Sequence, residues 1–278
     1  MELVREAKVI TPPEIDYAGR GIVMHADIPY DARYPRCLMN VMVPAAGDGP
    51  FPVIVWIHGG GWNSEDLTRK YMPSEFLAEM NEDGYVVASI DYRLSMDAPF
   101  PAHIEDCKAA IRFLRAHAAE YKIDKENFSV IGESAGGHLS ALVAMSRDDE
   151  FIDEVFPEES SAVKSAVVWY GPADMRSRGT DDGPLSLLFA YEDADVRRQM
   201  QVLASPVLYA ARKNPPILLM HGNRDGLVPI ENSCAMYDAL KAFGNDVEFI
   251  VVDGQWHGFF DGQEYYDAIH KFFDRTLR

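Results

Sequence analysis

Cysteine, basic residues and long apolar runs are all scarce in this chain, and each scarcity removes a class of protein. Cys37, Cys107 and Cys234 are the three cysteines among 278 residues. Their odd number and wide spacing indicate neither a disulfide framework nor a CxxC metal pair. Each reads as a small apolar residue. No stretch approaches the ~18 apolar residues of a membrane span. The chain begins Met-Glu-Leu-Val-Arg-Glu-Ala-Lys, with charges where a signal peptide needs an apolar core. The expected location is cytoplasmic. Only 26 Lys and Arg stand against 44 Asp and Glu, a formal net charge of −18. With no basic surplus to contact phosphates, neither nucleic acid nor an anionic membrane is an expected partner.

Nucleotide loops are missing too. Gly132-Glu-Ser-Ala-Gly-Gly137 is not followed by the GK[ST] of a phosphate-cradling loop, and no GxGxxG follows the first strand. The histidines and acids show no convergent ligand spacing, so neither a metal nor a cofactor is expected.

What is present is enough apolar material, 47% of residues, to fill one large core. Runs at 20–28, 37–43, 53–57, 85–90, 128–131, 163–170, 217–220 and 247–252 read as strands. Helical patterns fall at 67–82, 101–119, 135–147, 194–204, 231–243 and 262–277. Val53-Ile-Val-Trp-Ile57 is apolar throughout, as expected of a strand covered on both faces. Alternating strands and helices predict a doubly wound, mostly parallel α/β sheet in a single domain over 1–278. The pattern breaks at 171–215, which is rich in Pro, Gly, Asp and Arg and reads as a small cap over the site.

The densest chemical signal is Phe128-Ser-Val-Ile-Gly-Glu-Ser134-Ala-Gly-Gly-His138. A strand stops at a Gly-x-Ser-x-Gly turn and a helix resumes at once, the setting in which a serine becomes a nucleophile. A serine hydroxyl needs a base to take its proton, and that base needs an orienting acid. One candidate of each kind follows in the required order, just past a strand end. Asp225 lies in His221-Gly-Asn-Arg-Asp225 and His257 in Gly254-Gln-Trp-His257.

His58-Gly-Gly-Gly61-Trp62 follows strand 53–57, and its glycines let the backbone pass close to a substrate carbonyl. The amides of Gly60, Gly61 and Ala135 are the expected oxyanion donors. His58 is expected to hold this loop, Asp91 and Arg93 to form a structural pair, and His221 and His138 to be structural. Glu133 either tunes the pocket or caps the helix. Trp62, Trp256 and Phe259, with Phe189 or Tyr191, are candidates to line a substrate pocket near its entrance.

These motifs, together with Asp91-Tyr-Arg-Leu94, Pro101-Ala-His-Ile-Glu-Asp-Cys107 and His257-Gly-Phe259, resemble the α/β-hydrolase superfamily. The likeness is to its hormone-sensitive-lipase-like carboxylesterases and to the small bacterial feruloyl, acetylxylan and kynurenine formamidase-like enzymes. It covers about residues 50–260. The resemblance implies an eight-stranded α/β-hydrolase fold with helices on both faces, and the same triad and oxyanion donors as the residue reading. Glu133, where aspartate is more usual in the lipase-like members, leans toward the smaller esterases. The expected activity is hydrolysis of small, soluble, short-acyl esters. An arylformamidase or peptidase would use the same triad on a C–N bond, and a non-catalytic ligand-binding relative is the reading from another class. The strand at 247–252 offers an edge through which a homodimer could pair.

Overall fold

The computed structural model describes residues 15–176, 183–258 and 262–278. Eight strands make one sheet: β1 (Ile22–Pro29), β2 (Leu38–Pro44), β3 (Phe51–Ile57), β4 (Val86–Ile90), β5 (Ile123–Glu133), β6 (Ser165–Trp169), β7 (Ile217–Gly222) and β8 (Val247–Val252). Their spatial order is β1-β2-β4-β3-β5-β6-β7-β8. The β1/β2 and β2/β4 pairs are antiparallel, and every later pair is parallel. The doubly wound, mostly parallel sheet expected from the alternating pattern is therefore present.

Strand alternation sorts the core into two layers. Val53, Val55 and Ile57 of β3 face one side, with Ile104, Cys107 and Leu114 of α2 (Ala102–Ala116), Leu139 and Leu142 of α3 (Ala135–Met145) and Leu240 of α6 (Glu231–Ala242). Ile54 and Trp56 face the other side, with Phe76 and Leu77 of α1 (Ser74–Glu82) and Ile269, Phe272 and Phe273 of α7 (Gln263–Leu277). Burying each such large side chain contributes roughly 1.5–3 kcal/mol, so the two layers clamp the central strands. The strand ends that carry the candidate residues are held by this clamp.

Two boundaries differ from expectation. The helix expected over 67–82 begins at Ser74, after Pro73. Residues just before it are tied to the sheet instead: the Arg69 amide and guanidinium both bond the Asp91 carboxylate, and Ser89 Oγ donates to the Arg69 carbonyl. Those tertiary bonds take backbone groups that a helix would need. Strand β5 starts at Ile123, five residues before the apolar run, because Ile123 pairs with Phe51 across an irregular register.

Between β6 and β7 lies an insertion holding α4 (Pro184–Leu188), α5 (Ala194–Leu203) and a 3-10 turn at Pro206–Tyr209. Asp193 caps α5 by accepting from the amides of Asp195 and Val196. None of the residues of α5 is fully buried. Among the described residues no helix is long and apolar enough to cross a membrane.

Candidate active site

Ser134 sits between the end of β5 and the first turn of α3 with φ 54° and ψ −117°. A non-glycine residue in this region is strained and persists only where its surroundings over-determine it. Here they do. The Ser134 amide donates to the Trp169 carbonyl at 2.9 Å, and its carbonyl accepts from the His138 amide at 2.9 Å. The flanking glycines are required by close approach: a Cβ on Gly136 would stand 2.0 Å from the Ile57 carbonyl oxygen, and one on Gly132 2.5 Å from that of Gly136.

The other two candidates converge on this serine from 91 and 123 residues along the chain. His257 Nε2 lies 2.9 Å from Ser134 Oγ, and His257 Nδ1 lies 2.6 Å from Asp225 Oδ2. A carboxylate only accepts, so Nδ1 carries the proton and Nε2 is left to accept from the serine hydroxyl. The second oxygen, Asp225 Oδ1, accepts from the amides of Leu227 at 2.9 Å and Val228 at 2.8 Å. The Asp225 side chain is fully buried, whereas the His257 side chain is 18% exposed. The imidazole thus has one protected edge and one edge open to solvent.

His221 supports this loop from below. Its Nε2 donates to the Val228 carbonyl at 2.8 Å, and Nδ1 accepts from Ser233 Oγ at 2.8 Å. Burial holds its pKa below the usual value, so the ring remains neutral and structural, as expected from sequence.

The glycine loop after β3 closes the other side. Gly60 and Gly61 have φ of +99° and +59°, a region that glycine enters without steric cost. Among the described residues no acceptor meets either amide. Ala135, the first residue of α3, has no intrahelical partner for its amide either. Gly59 differs, because its amide donates to Glu133 Oε1 at 2.9 Å. His58 Nδ1 donates to the Gly59 carbonyl at 2.8 Å, and Tyr92 Oη donates to the His58 carbonyl at 2.9 Å, so His58 does hold the loop. The insertion reaches this loop as well, since a Cβ on Gly61 would stand 3.3 Å from Pro184 Cγ.

The pocket candidates separate. Trp256 is 63% exposed beside His257. Trp62 is only 4% exposed and belongs to the core, its indole N–H directed at His138, so it packs beneath the loop and not at an entrance. Phe189 is also core, packed against Phe100. Tyr191 donates its hydroxyl to the Phe100 carbonyl. Phe259 lies outside the described residues. The expected Asp91–Arg93 pair is corrected: Asp91 bonds Arg69, and Arg93 makes its bidentate pair with Asp106. Asp106 stands on α2, so the partner of Arg93 is set by how that helix packs beside the strand end.

One contributor carries no sequence motif, and a second lies inside the serine motif. Tyr170 directly follows β6, and its ring centroid lies 4.6 Å from that of His257. Glu133 is buried, and burial pushes its carboxyl up to about 7. The Gly59 amide and the Tyr170 hydroxyl act in the opposite sense, favouring the charged form. The strand-end position of Tyr170 was the one available hint.

The BD-FAE family model matches residues 39–240. The chain is 33% identical over 217 residues to esterase LipC of Mycobacterium tuberculosis, covering 76% of this chain and 53% of that protein. It spans about half the length of the curated relatives it matches. Among solved structures, a truncated form of a carbohydrate esterase from gut microbiota superposes with a TM-score of 0.84 at 27% identity, covering 92% of this chain and 96% of that one. The butyrate-bound esterase Est2 of Thermogutta terrifontis superposes with a TM-score of 0.72 at 26% identity, covering 92% and 94%.

Proposed function

The chain belongs to the BD-FAE family, and on that premise we propose that it is a carboxylic ester hydrolase in which Ser134 is the nucleophile, His257 the general base and Asp225 the orienting acid. The observation that carries this reading is the unbroken hydrogen-bonded line from Ser134 Oγ through His257 to Asp225, at 2.9 and 2.6 Å. As the serine attacks the ester carbonyl, His257 Nε2 takes the hydroxyl proton and then returns it to the departing alkoxide. Water, deprotonated by the same nitrogen, releases the acid from the acyl-enzyme. Asp225 keeps the tautomer that leaves Nε2 basic and stabilises the imidazolium. The amides of Gly60, Gly61 and Ala135 receive the negative charge on the tetrahedral oxygen, each such donor being worth roughly 3–4 kcal/mol in related chemistry.

The substrate in this reading is a small ester with a short acyl chain. The related Est2 binds butyrate, which supports a short acyl group. Trp256, exposed beside His257, supplies an apolar face for the alcohol portion, and the insertion at 171–215 acts as a small cap touching the loop through Pro184. β8 ends the sheet order with Val251 half exposed, which supports pairing with a second copy. Light scattering after size exclusion reads that directly.

The activity test is hydrolysis of p-nitrophenyl acetate, butyrate, octanoate and palmitate by wild type and Ser134→Ala. Turnover should favour acetate and butyrate and fall by ~10³-fold or more in the variant. Equal rates in the two proteins would sink the nucleophile assignment. Absence of turnover by wild type would redirect the assay to formamides and peptides.

A further inference from the structure

Glu133 is a buried acid that the reaction as written does not use. It immediately precedes Ser134 and is 6% exposed. The groups facing it are the Gly59 amide and the phenols of Tyr170, Tyr71 and Tyr92. Among the described residues, neither lysine nor arginine contributes to its ionisation. A buried carboxyl without a cationic partner is costly, so its place in the core calls for a task that an apolar residue would not perform.

Two contacts define that task. On one side Glu133 Oε1 accepts from the Gly59 amide at 2.9 Å, and the fit leaves no room for a side chain: a Cβ on Gly59 would stand 2.2 Å from that oxygen. The Gly59 peptide is thereby fixed directly before the two amides, of Gly60 and Gly61, that have no acceptor among the described residues. On the other side Glu133 faces the phenol of Tyr170, each acting on the other's ionisation, and the Tyr170 ring packs on His257 with centroids 4.6 Å apart and planes at 60°. One carboxyl therefore bonds the loop half of the site and faces the ring that packs on the His257 half.

We propose that Glu133 is a positioning residue: it anchors the oxyanion loop through Gly59 and steadies the His257 ring through Tyr170, setting the distance between the donors and the base. The kinetic part of this inference rests on the ester-hydrolase reading above; the structural part does not.

The test uses the full chain with Glu133→Ala, Glu133→Gln and Tyr170→Phe. Substrate-free hydrogen–deuterium exchange over residues 57–63 should accelerate by about tenfold or more in Glu133→Ala, which deletes the acceptor. It should stay near wild type in Glu133→Gln, whose amide oxygen can still accept from Gly59. With p-nitrophenyl acetate, kcat should fall by roughly 10–100-fold in Glu133→Ala at an unchanged KM, because misplaced donors weaken only the transition state. Glu133→Gln should recover most of that loss, and Tyr170→Phe should lower kcat without altering exchange in the loop.

Unchanged exchange in Glu133→Ala overturns the anchoring of the loop, as does a loss expressed in KM alone. If Glu133→Ala does not fold, Glu133→Gln and Tyr170→Phe decide: a kcat equal to wild type in Tyr170→Phe, or a loop in Glu133→Gln exchanging about tenfold faster, overturns the proposal. Should the wild type hydrolyse no ester, the functional reading fails while the exchange data still judge the anchor.

Discussion

The indole N–H of Trp62 points at Nδ1 of His138 across 3.3 Å. Indole can only donate, so Nδ1 accepts, and the ring proton sits on Nε2, which donates to the Ala204 carbonyl at 2.7 Å. His138 thus joins three parts of the molecule: the glycine loop, of which Trp62 is the next residue, helix α3, and the end of α5 in the insertion. The ring must stay neutral to serve both partners.

Removing that bridge should destabilise the fold. His138→Ala leaves the buried indole N–H and the Ala204 carbonyl unpaired and opens a cavity, a cost of about 2–4 kcal/mol. His138→Gln, which keeps one acceptor and one donor, should recover part of it. Urea unfolding of the three proteins measures the difference.

The tautomer argument at His257 makes a kinetic prediction. Asp225→Asn replaces an acceptor-only group with an amide that can present a donor to Nδ1. The ring then favours the proton on Nε2, where it cannot take the serine proton. We expect kcat for p-nitrophenyl acetate to fall by roughly 10³–10⁴-fold with little change in the near-ultraviolet circular dichroism spectrum. A loss under tenfold would show that Asp225 does not set the tautomer.

Trp256 separates binding from folding. Because its side chain is 63% exposed, Trp256→Ala should shift stability by no more than about 0.5 kcal/mol. If the indole carries the alcohol portion of the ester, KM for substrates with bulky aryl alcohols should rise several-fold at unchanged kcat, and methyl esters should be indifferent. Steady-state kinetics on a matched series of aryl and methyl butyrates checks this.

Glu133 also couples stability to pH. Burial raises its carboxyl from the usual 4.5 to about 7. Between those values the folded protein retains a proton that the unfolded chain has released, so this group's contribution is full below about 4.5 and is lost as pH rises through about 7. The loss amounts to about 3 kcal/mol. His103 works in the opposite direction, because burial lowers its pKa from 6.5 to about 3. Its contribution is present above 6.5 and disappears as pH falls toward 3. The two slopes overlap in wild type, so the informative quantity is the stability difference between Glu133→Gln and wild type at pH 4.5 and pH 8. That difference should move by about 3 kcal/mol in favour of the variant at the higher pH. A difference independent of pH would mean that Glu133 does not titrate in this range.

The sequence by itself determined the strand ends. Ser134, Asp225 and His257 each sit in a short segment whose neighbours announce a turn: glycines about the serine, Asp-Gly after a strand, His-Gly after the last strand. Such segments are legible because their chemistry is local, and the alternation of apolar runs then orders them along one sheet edge. The same holds for the glycines after His58, where the conformation demanded of the backbone is written in the residue type itself.

Tertiary structure alone decided what holds those ends in place. Glu133 meets Gly59 across 74 residues of chain and Trp62 meets His138 across 76. Arg93 chooses Asp106 on α2 over its near neighbour Asp91, while Asp91 takes Arg69 and keeps residues before Ser74 out of the helix that their pattern suggests. Trp62 reads like any aromatic beside a glycine loop, and only the packing of α3 turns it into the core. The physical reason is common to all of these. A buried polar group must find a partner once water is excluded, and which partner lies within hydrogen-bond reach is set by how layers of the fold close on one another, a relation that no local pattern of residues contains.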